Sequence, residues 1–197
     1  MGIYGTRDGK FHVKKLYVED KVPVSYSINY AVATANNYFV DGWDVSAGTT
    51  AKLTKHLLLQ PPYPVEMKVY ASAAGTAGGG DKLIFVGYDA KGEYVKEEVY
   101  IAATAATSTY SSNAFAKITS ITPDDALHKS TDVNIGFRNV VGLPYPLESA
   151  SDILTAQIGI QFATAALTVD TTYNSIDLNT ALVGGSSASI TWMSKVQ

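Results

Sequence analysis

From Val24 to Val32 the chain reads VSYSINYAV, with Val24, Tyr26, Ile28, Tyr30 and Val32 apolar and Ser25, Ser27 and Asn29 polar between them. Successive side chains of a strand point to opposite faces, so this two-residue period describes a half-buried strand and fits no helix. The pattern recurs in VEMKVYA, where Val65, Met67, Val69 and Ala71 face inward against Glu66 and Lys68. It recurs in YVKEEVYI, where Val95, Val99 and Ile101 share a face with Glu97 among them. IGIQF puts Ile158, Ile160 and Phe162 on one side, and ASITWM does the same with Ala188, Ile190 and Trp192.

Turn signals separate these runs. Gln60-Pro61-Pro62-Tyr63-Pro64 is stiff and cannot continue a helix, Ala74–Asp81 is a glycine-rich loop, and Leu143-Pro144-Tyr145-Pro146 is a second proline corner. A helical turn is expected only at Thr122–His128, with Pro123 at its first position. Many short alternating strands between Gly/Pro turns predict an all-β, antiparallel, jelly-roll-like β-sandwich over residues 21–197. Residues 1–20, with Gly2, Gly5 and Gly9 ahead of FHVKKLYV, read as an extended N-terminal arm or an added strand.

GYDAKGEY carries two glycines at the spacing of a phosphate-binding loop. Such a loop needs Lys and Ser or Thr after the second glycine, to reach the outer phosphates and hold magnesium. Here Glu93 and Tyr94 follow, and the chain continues as a strand. The reading is therefore a hairpin, Lys82–Tyr88 and Tyr94–Ala102, turned at Asp89-Ala90-Lys91-Gly92 with Gly92 at a positive φ.

Chemistry finds few footholds. Without cysteine there is no disulfide, thiolate metal site or cysteine nucleophile. A net charge of −3 with two arginines, Arg7 and Arg138, argues against a nucleic-acid partner, and Lys14-Lys15 is the lone adjacent basic pair. No apolar run spans a bilayer and no secretory signal opens the chain. Met1–Thr6 fits a myristoylation pattern, but no polybasic patch follows, so no membrane partner is expected. His12, His56 and His128 stand far apart, and Asp124-Asp125 and Asp41-Gly42-Trp43-Asp44 read as turns because calcium-loop spacing is missing. Glu97 and Glu98 fall on opposite faces of a strand and cannot act as a pair. No catalytic, metal or cofactor residue emerges.

Thirteen tyrosines against six phenylalanines fit strands and interfaces, where a ring packs and its hydroxyl stays wet. LIFVGYDAKGEYVKEEVYI followed by SSNAFAKITSIT, VNIGFRNVVGLPYPLES, and VDTTYNSIDLNTA followed by SASITWMSK resemble the strand, hairpin and GLPYPL-corner patterns of bacteriophage capsid decoration (cement, head-stabilising) proteins. The likeness runs from about Pro61 to Lys195. It implies a non-enzymatic virion protein on the capsid surface, bound to the major capsid protein and self-associating as a homotrimer. Tyr145, Trp43 and Arg138 are the interface residues expected on this reading. A tail or fibre module binding a glycan or receptor around Asn36-Asn37-Tyr38 is the alternative. A hydrolase built where His56 or His128 meets an acid ranks below both.

Overall fold

The computed structural model describes residues 4–5, 11–12, 21–29, 32–45, 52–54, 59–71, 81–102, 104, 106–124, 132–159, 161–162, 167–178 and 187–195. His56, His128, Tyr30, Lys14, Lys15, Asp125 and most of the 74–81 loop lie outside the described residues. In chain order the strands are β1 (Tyr4–Gly5), β2 (Phe11–His12), β3 (Lys21–Ile28), β4 (Val40–Asp44), β5 (Leu53–Thr54), β6 (Val65–Ala71), β7 (Lys82–Asp89) and β8 (Tyr94–Tyr100). They continue as β9 (Thr107–Pro123), β10 (Asp132–Gly142), β11 (Ile153–Ile158), β12 (Gln161–Phe162), β13 (Thr168–Asp170), β14 (Ser175–Asp177) and β15 (Ala188–Lys195). Among the described residues the one helical element is a 3-10 turn at Ala150–Asp152.

Every pairing is antiparallel, and the fold is all-β as the alternation requires. A large sheet runs β13-β14-β10-β6-β9-β7-β8, with β4 added beside β10 and β5 beside β9. A second sheet runs β12-β11-β15-β3. Their inner faces share one buried cluster: Val65, Met67, Val69, Ile135 and Phe137 from the large sheet, Ile28, Ala156, Ile190 and Trp192 from the small one. This is a sandwich of two antiparallel layers. The described part of the 1–20 arm is β1 paired with β2, Tyr4 opposite His12 and Gly5 opposite Phe11.

The long strand β9 shapes the large sheet. Thr107–Phe115 pair with β6, while Phe115–Pro123 pair with β7 on the opposite side. Strand β8 then curls back to the first half of β9, because the Thr109 hydroxyl donates to the Tyr100 carbonyl. The Glu97 carboxylate accepts from the Ser112 amide (2.5 Å), the Asn113 amide (3.0 Å) and the Asn113 side chain (3.0 Å). That is why a glutamate stands on an apolar face: the β6–β9 register shifts between Glu66 and Lys68, and Glu97 takes the amides that this bulge leaves without a strand partner. Gly87 makes the close approach of β7 to β9 possible, since a Cβ there would lie 2.0 Å from the Lys117 carbonyl oxygen.

The hairpin forms as its turn residues dictate. Gly92 has φ +83°, and the Asp89 carboxylate accepts from the amides of Lys91 (2.9 Å) and Glu93 (2.8 Å). No phosphate cradle exists there, because both amides are spent inside the turn.

Three local readings need correction. IGIQF is not one strand: Gly159 has φ +60° and turns the chain so that Gln157 pairs with Phe162 and Ile158 with Gln161. Thr122 and Pro123 do not begin a helical turn but end β9, opposite Ile84 and Leu83, because pairing with β7 keeps them extended. Asp41-Gly42-Trp43-Asp44 is no turn but the body of β4, where Gly42 (φ +60°) donates its amide to the Asn134 side chain at 2.7 Å.

Candidate functional site

A buried charge pair is built on β6, between two bulges. On one side β9 shifts register between Glu66 and Lys68; on the other, β10 shifts between Phe137 and Val141. The second bulge turns Arg138 toward β6, where its Nε donates to Glu66 at 2.6 Å and its Nη2 reaches the same carboxylate oxygen. The guanidinium also lies over the Tyr110 ring, 4.5 Å from the centroid. Stacking and ion pairing together fix a side chain that would otherwise sweep freely.

Glu66 reads as an outward polar residue in the sequence, yet it is 3% exposed. Burial pushes its carboxyl up to about 7, against the pull of the Arg138 hydrogen bond and charge, while Glu97 and Asp170 push it further up.

Beside this pair lies a pocket of about 150 Å³ lined by Thr34, Ala35, Asn36, Lys68, Phe137, Arg138 and Asn139. It occupies the stretch of β10 between the end of its pairing with β4 at Ile135 and the start of its pairing with β14 at Val140. Gly136 lets the 34–36 segment press onto the sheet, because a Cβ there would sit 1.7 Å from the Ala35 carbonyl oxygen. Aromatic packing of Phe137 against Tyr38, Phe39 and Tyr63 supports the wall, at centroid distances of 5.0, 6.0 and 6.2 Å. Two cationic heads over amide and hydroxyl groups suit an acidic or hydroxyl-bearing group of a partner.

The second feature is the corner Leu143–Leu147. Asn174, held at φ +52°, donates its side-chain amide to the carbonyls of Leu143 (2.7 Å) and Tyr145 (3.1 Å) and accepts from the Leu147 amide (2.8 Å). Trp192 Nε1 donates to the Pro146 carbonyl at 3.0 Å. The staple leaves Tyr145 projecting, 41% exposed, on an immobilised backbone. Asn174→Ala should unpair those three backbone groups and cost about 2 kcal/mol, readable as a shift in urea midpoint; an unchanged midpoint would show that water replaces them.

The expected interface residues do not converge. Trp43 pairs opposite Val133 and is half-buried against the core, Arg138 lies about 17 Å further along β10, and Tyr145 stands beyond the strand's end. Tyr145 and Arg138 are the more exposed of the three. Sequence reading missed Glu66, Tyr110, Lys68 and Asn174. The isolated Asn before SID, next to VDTTY, was the one visible sign of a left-handed cap.

The chain matches no family model, no curated protein and no solved structure. Its surface therefore has to be read from its own residues. Tyr88, Tyr94, Tyr100, Tyr110, Tyr145 and Tyr173 are each between 39% and 63% exposed, and each is carried by a strand, a paired turn or the stapled corner. Among the described residues no group of His, Asp and Glu has metal-binding geometry, and no helix is long and apolar enough to cross a membrane.

Proposed function

We propose that this protein is a non-enzymatic bacteriophage virion component that decorates the capsid surface by binding the major capsid protein lattice, and that it self-associates as a homotrimer. The observation that carries this reading is the set of exposed tyrosines on rigid β backbone. A ring with few rotatable bonds on an ordered strand loses little entropy on docking and offers both apolar area and a hydroxyl. Tyr145 on its stapled corner and Arg138 beside Tyr110 are the anchors assigned to the capsid contact. Such anchors, a few aromatic and arginine side chains on a preformed surface, concentrate binding energy at interfaces. Neither nucleic acid nor membrane is a partner in this reading.

Co-sedimentation with capsids assembled from the major capsid protein alone tests it. Wild-type protein should saturate the particles, and Tyr145→Ala should weaken binding at least about tenfold. The Asn36-bearing pocket favours one competing reading, a glycan-binding tail or fibre module. Failure to bind capsids together with a hit on a glycan array would replace the capsid reading with that one.

A further inference from the structure

The outer face of the β7–β8 hairpin is its own complement. Leu83, Phe85 and Val99 point into the core, so the alternate positions form the other face: Lys82, Ile84, Val86 and Tyr88 on β7, Tyr94, Lys96, Glu98 and Tyr100 on β8. Ile84 and Val86 are half-buried at its centre, while Tyr88, Tyr94, Lys96, Glu98 and Tyr100 around them are exposed. Strand β8 reads Tyr94-Val95-Lys96-Glu97-Glu98-Val99-Tyr100, which is the same backwards except that Lys96 faces Glu98. A two-fold axis across Glu97 therefore sets Tyr94 on Tyr100 of a second copy and Lys96 on Glu98 of that copy, each contact made twice. The register of β7 carries the same symmetry: Phe85 is opposite Glu97, so the axis sets Ile84 on Val86 and Lys82 on Tyr88. Aromatic meets aromatic, cation meets anion, and the apolar centre meets itself.

The edge of β8 is not where this contact forms. Its Tyr100 carbonyl already accepts from Thr109, and Glu97 ties the strand to the β9 bulge, so an added strand has no clear run. Lys96, in contrast, has no ion-pair partner among the described residues, although Glu98 is held by Lys82 at 2.6 Å. We infer that two copies of this chain pack face to face through the outer side of β7 and β8, about a two-fold axis at Glu97, with Lys96 of each copy on Glu98 of the other. The geometry is that of two sheets stacked in a sandwich, here supplied by different molecules. This contact is independent of capsid binding and can coexist with a trimer, whose copies it would join in pairs.

Charge variants test it in solution. In K96E two acidic side chains face each other at both contacts, and in E98K two lysines do, so each variant alone should associate at least about tenfold more weakly than wild type. An equimolar mixture of the two variants sets an acidic pair on one chain against a basic pair on the other. Both contacts then hold one cation and one anion again, and the mixture should recover the wild-type mass in analytical ultracentrifugation. Circular dichroism melts of both variants, which change only exposed positions, show that the fold persists. Three results would overturn the inference: wild type with no concentration-dependent doubling of mass, K96E associating as wild type does, or a mixture that stays dissociated.

Discussion

Arg138→Ala should lower the stability of the protein by about 3 kcal/mol at pH 8 and by roughly 1 kcal/mol less at pH 5. At pH 8 Glu66 is ionised beside Arg138, and removing that cation leaves the buried carboxylate either to stand unpaired or to take up a proton, which costs a few kcal/mol. The figure sits at the low end because the Arg138 side chain is itself 39% exposed. The pH dependence follows from the direction of the Glu66 shift. Its folded value of about 7 lies above the ordinary 4.5, so the folded protein holds the proton more tightly than the unfolded chain does. Ionised Glu66 thus opposes folding above pH 7, by about 3 kcal/mol. That cost fades as the pH falls from 7 and is gone below 4.5. Removing Arg138 raises the carboxyl further and moves the loss to neutral and alkaline pH. Glu66→Gln should flatten the stability profile between pH 5 and 8 while keeping the fold. Urea titrations of the three proteins at several pH values measure this directly, and an Arg138→Ala loss that is equal at pH 5 and pH 8 would refute it.

Trp192→Ala should be the most damaging substitution in the small sheet, at about 4 kcal/mol. The indole is fully buried, lies between Val24 of β3 and Ile153 of β11, and is part of the core shared with the large sheet. Its removal opens a large cavity and strips the Pro146 carbonyl of its donor, loosening the corner that presents Tyr145. For a chain of this size the loss corresponds to roughly 10 °C in melting temperature. Trp192→Phe keeps most of the ring but not the N–H, so its loss should be roughly 1–2 kcal/mol. On the proposed capsid reading, co-sedimentation separates the two effects: Trp192→Phe should bind more weakly than its modest stability loss alone accounts for. If it binds as wild type does, the indole–carbonyl bond does not position Tyr145.

The sequence already told which apolar side chains of several strands go inward. Ile28, Met67, Val99, Ile190 and Trp192 are buried as the alternation requires, and the Asp89–Gly92 turn closes as its residues dictate. Those features depend on neighbours one or two residues away, so they are written locally. The failures share the opposite cause. IGIQF alternates on paper, but Gly159 accepts a positive φ and the chain reverses. Thr122-Pro123 has the residues of a helix start, but pairing with β7 keeps it extended.

By itself, then, the chain determined an all-β molecule, the inward apolar side chains of several strands, one hairpin and the proline corner. Only the tertiary structure decided that β9 serves two partners on opposite edges, that two bulges flank Glu66, and that Arg138 and Asn174 find their roles from strands far away in sequence. Alternation depends only on the backbone repeat, whereas bulges and buried charges depend on which strand lies alongside. Strand pairing is settled by the whole core at once, so no short stretch of sequence records it.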